Sequence, residues 1–264
     1  MILERVLITI LAAIFGGALG SFSNVLIIRW HADTPLTGRS NCPACRKPIK
    51  PRHLIPVFSW VMLKGRCAYC GKGIHIQYFL VEVAATLLGI IAALRWDPFM
   101  QPVFWFEFVV TVGLLVPVVM DLRWQELPVE YLWGMGIFGL VYNLLGYGTL
   151  GLETLGQRAV ALACGMLFCG AFFGLQVVLS RGTWLGLGDF WFGLMMGAVL
   201  GWPLALAAVY LAYILGSCVA LIGLVTGKFK RRSRLAFAPL LAAGTFCAIW
   251  LGPWILNWFH YAFS

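Results

Sequence analysis

The chain has 264 residues and a net charge of +9, yet only 11% of its residues are charged against 61% hydrophobic, and its mean hydropathy is +0.90. A soluble domain carries roughly 25% charged residues, so a soluble globular protein and a disordered chain are both excluded, leaving an all-α polytopic membrane protein. The surplus of Lys and Arg points to the positive-inside bias of membrane proteins rather than to nucleic acid, and no nucleic-acid-binding signature accompanies it.

The first apolar stretch, Val6 to Ile28, is long enough to cross a bilayer, which takes ~20 residues. It lacks a basic n-region, so it reads as a first span that stays rather than a cleaved signal. Eight spans follow from the apolar runs: 5–28, 76–94, 99–120, 131–149, 158–179, 187–205, 206–226 and 236–260. The second is short and carries Glu82. Gly201-Trp202-Pro203 separates the sixth from the seventh. Gly252-Pro253 marks a kink or an end in the last.

With the N-terminus outside, alternation puts segments 29–75, 121–130, 180–189 and 227–235 on the cytoplasmic side. They hold every Lys and Arg except Arg5, Arg95 and Arg158, that is 16 of the 19. Long cationic side chains stay cytoplasmic, and this orientation puts Asp121 and Asp189 at the cytoplasmic ends of their spans.

The one sizeable soluble piece is 30–75. A unit that small needs a metal or disulfides to hold together. It contains Cys42-Pro43-Ala44-Cys45 and Cys67-Ala68-Tyr69-Cys70, two C-x2-C knuckles. Each knuckle supplies half of a tetrahedral site, and four thiolates with no open position make a structural zinc site. Disulfides are the rival reading, but a cytoplasmic loop stays reduced. Cys164, Cys169, Cys218 and Cys247 lie in apolar spans and read as small hydrophobes. His31, His53 and His75, in or beside the same piece, read as structural. Its basic residues can face anionic lipid headgroups.

Trp184-Leu185-Gly186-Leu187-Gly188-Asp189 brings a carboxylate to the edge of an apolar run, and Asp121 ends another. Ionisable groups at such places are costly and mark function. Two carboxylates that share one proton can hydrolyse a peptide bond, one taking a proton from water while the other polarises the carbonyl. The bland alternatives are an Asp121–Arg123 pair at a helix end and Asp189 as a helix cap.

Several stretches in order resemble the type IV prepilin peptidase family, bifunctional leader peptidases and N-methyltransferases of the Gly-x-Gly-Asp aspartyl protease type. Gly20-Ser21-Phe22-Ser23-Asn24-Val25 is similar to the end of that family's first span. Ile55-Pro56-Val57-Phe58-Ser59 and Gly65-Arg66-Cys67 stand between the cysteine pairs as family segments do. Tyr78 and Glu82 resemble the opening of its second span. Asp121-Leu122-Arg123 with Leu127-Pro128, and Gly186-Leu187-Gly188-Asp189, resemble its two catalytic regions. Phe237-Ala238-Pro239 resembles a Phe-Gly-Pro segment before its last span.

The resemblance implies a multi-pass protein of the bacterial inner membrane, with Asp121 and Asp189 catalytic. It implies removal of a short basic leader from a pilin or pseudopilin precursor after a glycine, at the cytoplasmic face. It further implies methylation of the new N-terminus with S-adenosylmethionine. Glu126 and Glu130 are candidates to meet the basic leader. Ser21, Asn24, Tyr78 and Glu82 are candidates for the methyltransferase half, although no Gly-x-Gly-x-x-Gly on a strand–helix unit is present. Residues then group as 1–29 (first span), 30–75 (four-cysteine domain) and 76–264 (seven-span protease domain). The chain departs from the family pattern at Trp191 (usually Lys), Gln77 (usually Arg) and Ala238 (usually Gly). The alternatives are the same protease without methyl transfer, or a non-enzymatic membrane scaffold or transporter with a zinc-bound anchor.

Overall fold

A computed structural model describes residues 2–95, 101–148, 150–228 and 235–263. Lys230, Arg231, Arg232 and Arg234 of the basic 227–235 segment lie outside the described residues, as does Phe99 at the start of the expected third span. Among the described residues there is no strand, and ten α-helices carry the fold. Packing divides the chain into two compact units, Met1–Val116 and Pro117–Ser264. Residues 76–116, grouped by sequence with the segment 76–264, pack with the first span.

In the first unit, α1 (Ile2–His31) and α3 (Ile76–Arg95) run antiparallel. Small residues let the backbones touch: Gly16 lies on the Ala85 carbonyl, Gly89 on the Ala12 carbonyl, and a Cβ on Gly20 would stand 2.8 Å from that of Ala85. Close approach through small residues is how helices associate where lipid removes the hydrophobic drive. The cysteine module joins α1 to α3 and contains a 3-10 turn at Pro51–His53 and one short α-helix, α2 (Phe58–Met62). α4 (Pro102–Gly113) starts on a proline, which has no N–H to leave unpaired there. Its Phe104 and Phe108 pack with Ala12, Ala85 and Ala92 in one buried cluster.

α5 (Leu115–Trp124) continues the apolar run of α4, and together they make the span Pro102–Trp124. The break between them follows from Pro117, which cannot donate to the Gly113 carbonyl one turn back. In the second unit, α6 (Val129–Leu144), α7 (Leu155–Ser180), α8 (Leu187–Leu200), α9 (Leu204–Val225) and α10 (Ala238–Phe263) follow. α8 is the buried centre: Phe192, Gly193 and Met195 to Leu200 are all inaccessible. Gly193 lies under the Phe173 ring of α7, and a Cβ on Gly197 would be 2.7 Å from the Gly165 carbonyl. Asn143 of α6 donates to the Val199 carbonyl of α8 at 2.8 Å.

Each of the eight expected spans is met by a helix, but six helical spans are long and apolar enough to cross a bilayer among the described residues. The other two, α6 with 16 residues and α8 with 14, reach only about 24 and 21 Å at ~1.5 Å per residue, against a hydrocarbon core of ~30 Å. The expected break at Gly201-Trp202-Pro203 separates α8 from α9. Gly252-Pro253 does not end α10, which runs on through Pro253 to Phe263.

Candidate active site

The cysteine module is built from two copies of one local pattern. In the first, the Cys42 N–H donates to the Lys47 carbonyl at 3.0 Å, Arg46 N–H to the Cys42 carbonyl at 2.8 Å, and Ile49 N–H to the Ser40 carbonyl at 2.9 Å. In the second, the same offsets recur: Cys67 to Lys72 at 2.8 Å, Gly71 to Cys67 at 2.9 Å, Ile74 to Gly65 at 2.6 Å. The turn residue is left-handed in both, Arg46 at φ +56° and Gly71 at φ +70°. Each turn aims two sulfurs the same way.

All four sulfurs, from Cys42, Cys45, Cys67 and Cys70, lie within 4.8 Å of one another. A tetrahedron with metal–sulfur arms of about 2.3 Å has edges of about 3.8 Å, and Cys42 Sγ stands 3.9 Å from Cys70 Sγ. That spacing fits a shared metal and is far beyond a disulfide bond of about 2.05 Å; all eight cysteines are free. The Cys45 amide, helped by that of Ala44 and by neighbouring thiols, outweighs burial and holds the Cys42 thiol at about 6. At Cys70 the Lys72 amide acts in the same sense, but desolvation and the three other thiols prevail and push it up to about 11. The His53 ring stands beside Tyr69, with centroids 6.0 Å apart, and His75 Nδ1 accepts from the Gln77 amide at 3.1 Å. His53 and His75 are therefore structural neighbours, outside the sulfur cluster.

The second unit carries both aspartates. Asp121 is buried and lies one turn inside the end of α5, which runs past it to Trp124. Its Oδ2 accepts the Ala238 N–H at 2.9 Å, and the Phe237 amide also reaches it. Asp121 thus caps the start of α10 from another helix. Asp189 is in the first turn of α8, and its Oδ2 accepts the Gly186 N–H at 3.1 Å. So the capping role foreseen for Asp189 exists, and for Asp121 the partner is α10. The Arg123 guanidinium lies over the Trp124 ring, 4.5 Å from its centroid.

The two glycines of the motif do different work. A Cβ on Gly188 would stand 2.8 Å from Leu127 Cδ1 and 2.9 Å from Leu127 Cβ, so this position presses α8 directly onto the loop after α5. Gly186 has nothing nearer than 3.8 Å. Asp189 follows directly on that contact, and the two carboxylates lie within reach of each other's charge. Tyr213 of α9 also lies within electrostatic reach of Asp189, donates to Gln176 Oε1 of α7 at 2.8 Å, and meets the Phe237 ring edge-on at 5.3 Å. The Tyr213–Gln176 pair and the backbone at Phe237 and Ala238 had no sequence reading as neighbours of the aspartates. The only signal for the pair was a glutamine inside an apolar helix.

The Trp191 ring lies beside Trp133 at a 58° tilt, with centroids 5.1 Å apart, and both line an apolar groove of about 190 Å³ between α6, α7 and α8. Glu126 and Glu130 are exposed, in the loop after α5 and the first turn of α6.

The polar residues of the first unit also meet. Asn24 Nδ2 donates to the Tyr78 carbonyl at 3.0 Å, Gln77 Nε2 to Asn24 Oδ1 at 3.4 Å, and Ser21 hydrogen-bonds Glu82. These groups satisfy one another between helices.

Two family models match the chain: the bacterial peptidase A24 N-terminal domain over residues 14–96, which contains the four cysteines, and the type IV leader peptidase family over 108–221, which contains both aspartates. The chain is 32% identical over 253 residues to the prepilin leader peptidase/N-methyltransferase of Pectobacterium carotovorum subsp. carotovorum, covering 88% of each chain. The chain belongs to the type IV leader peptidase family. Similar proteins of the same description come from Aeromonas salmonicida, 31% identical over 280 residues with 94% of this chain and 92% of the relative covered, and from Bacillus subtilis, 29% over 248 residues with 93% and 95% covered. No solved structure matches this leader peptidase family member.

Proposed function

We propose that the protein is a membrane aspartyl endopeptidase that removes the leader of type IV pilin-like precursors, with Asp121 and Asp189 as the catalytic pair. The observation that carries the reading is that two carboxylates from separate helices lie within reach of each other's charge in the segment matched to the leader peptidase family. One carboxylate, ionised, takes a proton from the attacking water. Its protonated partner donates to the scissile carbonyl oxygen as that oxygen gains charge. As the C–N bond breaks, the carboxyl that took the water's proton passes it to the leaving amine and a diol hydroxyl returns its proton to the partner, so the pair again shares a single proton. The pair titrates as one unit, so the two roles belong to the dyad. The Ala238 and Gly186 amides hold one oxygen of each carboxylate, which fixes the rotamers before substrate arrives.

The helix ends carrying Asp121, Asp189 and Ala238 share one side of the second unit. The distribution of Lys and Arg supports a cytoplasmic position for that side, with the N-terminus outside in a bacterial inner membrane. Exposed Glu126 and Glu130 suit a basic leader. The Cys42, Cys45, Cys67 and Cys70 cluster suits structural zinc, which would close the module and supply no open coordination position.

The relatives' description as N-methyltransferases supports a second step, methylation of the new N-terminal amine with S-adenosylmethionine. The Ser21, Asn24 and Glu82 side chains already bond within the first unit and do not by themselves outline a site for that cofactor, while Tyr78 takes part through its backbone carbonyl. The described residues contain no strand–helix unit of the Rossmann kind.

The test is cleavage of a pilin precursor by detergent-purified protein. Wild type yields the shortened pilin. Asp121→Asn and Asp189→Asn each yield none while retaining zinc content and helix content. Near-normal cleavage by either variant refutes the dyad.

A further inference from the structure

The cysteine module touches the membrane helices at a second place, beyond its two chain ends. Its apolar segment Leu54–Leu63 folds back along α1 and α3. A Cβ on Gly17 would stand 3.2 Å from Pro56 Cβ and 3.0 Å from Thr86 Oγ1, so Pro56 lies level with both. The Trp60 ring stacks on Phe79 with centroids 4.8 Å apart. The Val57 N–H donates to Glu82 Oε2 at 2.7 Å.

These contacts set a depth. α3 has 20 residues, ~30 Å of helix, about the thickness of the hydrocarbon core. Glu82 is roughly 9 Å along it and Thr86 roughly 15 Å. Pro56 therefore reaches about half-way down a membrane-spanning helix. Irregular backbone is tolerated at such depth only when its polar groups are satisfied by protein. Val57, at φ +65°, is the sharpest point of the turn, and its N–H is the one that Glu82 takes up. A buried carboxylate in a span, otherwise costly, here serves a turn that could not enter lipid without it.

The outer side of the segment is apolar and open. Leu54, Ile55, Phe58, Val61 and Met62 are between 40% and 66% exposed. Basic residues flank it at both ends, Lys50 and Arg52 before, Lys64 and Arg66 after. Lys50 continues into a groove of about 510 Å³ that also has Arg39 and Lys47 in its wall. An apolar face edged with Lys and Arg is the pattern of segments that sit in a lipid leaflet under anionic headgroups.

We propose that residues 54–62 form a re-entrant wedge seated among the acyl chains of an anionic phospholipid leaflet, with Lys50, Arg52 and Lys64 at the headgroups. An apolar helix of a protein substrate is the competing occupant. The flanking positive charges favour anionic lipid over a chain that carries a basic leader.

The test places a photoreactive benzoyl-phenylalanine at Met62 in the full-length protein. Thr37 serves as the control site, because its carbonyl accepts from Arg29 Nη1 at 2.7 Å, far along α1 from Gly17. The protein is reconstituted in vesicles of phosphatidylcholine and phosphatidylglycerol, irradiated, and analysed by mass spectrometry, with and without a pilin precursor. The expected result is lipid adducts at Met62 several-fold above those at Thr37. Phosphatidylglycerol is enriched among them, and that enrichment is lost when Lys50, Arg52 and Lys64 are changed to Gln. The same probe at Val61 guards against a local failure at Met62. Absence of lipid adducts at both sites, or adducts chiefly to added pilin or to a second copy of the chain, overturns the proposal.

Discussion

The second glycine of the Gly-x-Gly-Asp motif provides the sharpest test of how the two aspartates are brought together. In Gly188→Ala the new Cβ would meet Leu127 Cδ1 at 2.8 Å and Leu127 Cβ at 2.9 Å. Ordinary contact begins at 3.4 Å. The side-chain tip can rotate away, but Leu127 Cβ is fixed to the backbone, so helix α8 and the loop after α5 must part by about 0.5 Å, the difference between 3.4 and 2.9 Å. Overpacking of this kind costs about 1–3 kcal/mol. The separation acts directly on the distance between Asp189 and Asp121, and a misplacement of ~1 Å at reacting groups can cost about 10²-fold in rate. The expected loss is therefore of order tenfold or more in kcat/KM for pilin cleavage, with only a modest fall in the thermal midpoint. Gly186→Ala is the internal control: its nearest neighbour is 3.8 Å away and its φ of −81° suits any residue, so cleavage stays near wild type. Truncating the opposing side chain, in Gly188→Ala with Leu127→Ala, restores part of the lost rate. Equal activity of Gly188→Ala and Gly186→Ala refutes the reasoning, as does a failure of the second substitution to restore anything.

Three further outcomes follow from the same contacts. Cys42→Ser removes one of four clustered sulfurs, so the purified protein loses zinc, read by metal analysis, and residues 32–75 become the first site of limited proteolysis. Glu82→Leu strands the Val57 N–H at a cost of about 1–3 kcal/mol, while Glu82→Gln keeps an acceptor and costs much less; hydrogen exchange at Val57 separates the two. Asn143→Ala removes the bond to the Val199 carbonyl and lowers unfolding stability by about 0.6–2 kcal/mol, measured in mixed micelles, with pilin cleavage at 25 °C unchanged.

Much of this was legible because the membrane enforces simple rules. Apolar runs mark helices whatever their partners, and C-x2-C spacing fixes its own turn, so a helix at each of the eight apolar runs and the sulfur cluster followed from the sequence, while two of those helices fall short of a full span. The two aspartates stood out because charge at the end of an apolar run is rare. What escaped was decided by packing between distant segments. Nothing in Phe237-Ala238-Pro239 says that its amides hold Asp121, because a backbone donor carries no side-chain signature. The folding of Leu54–Leu63 back onto α1 depends on Gly17 and Glu82, each unremarkable alone. Pro253 signalled a break that α10 does not make, because one missing N–H is tolerated in a helix of 26 residues whose other bonds lipid enforces.

The brevity of α6 has a consequence for the surrounding lipid. Its Trp133, Ile137 and Val141 are open to the outside, so about 24 Å of helix faces a layer whose apolar depth is ~30 Å. Such mismatch is relieved by local thinning of the bilayer or by sinking of the shorter element. Either response shortens the path from water to the end where α6 begins. The expected outcome is faster pilin cleavage in vesicles of short-chain lipid than in vesicles of long-chain lipid, with the sequence unchanged.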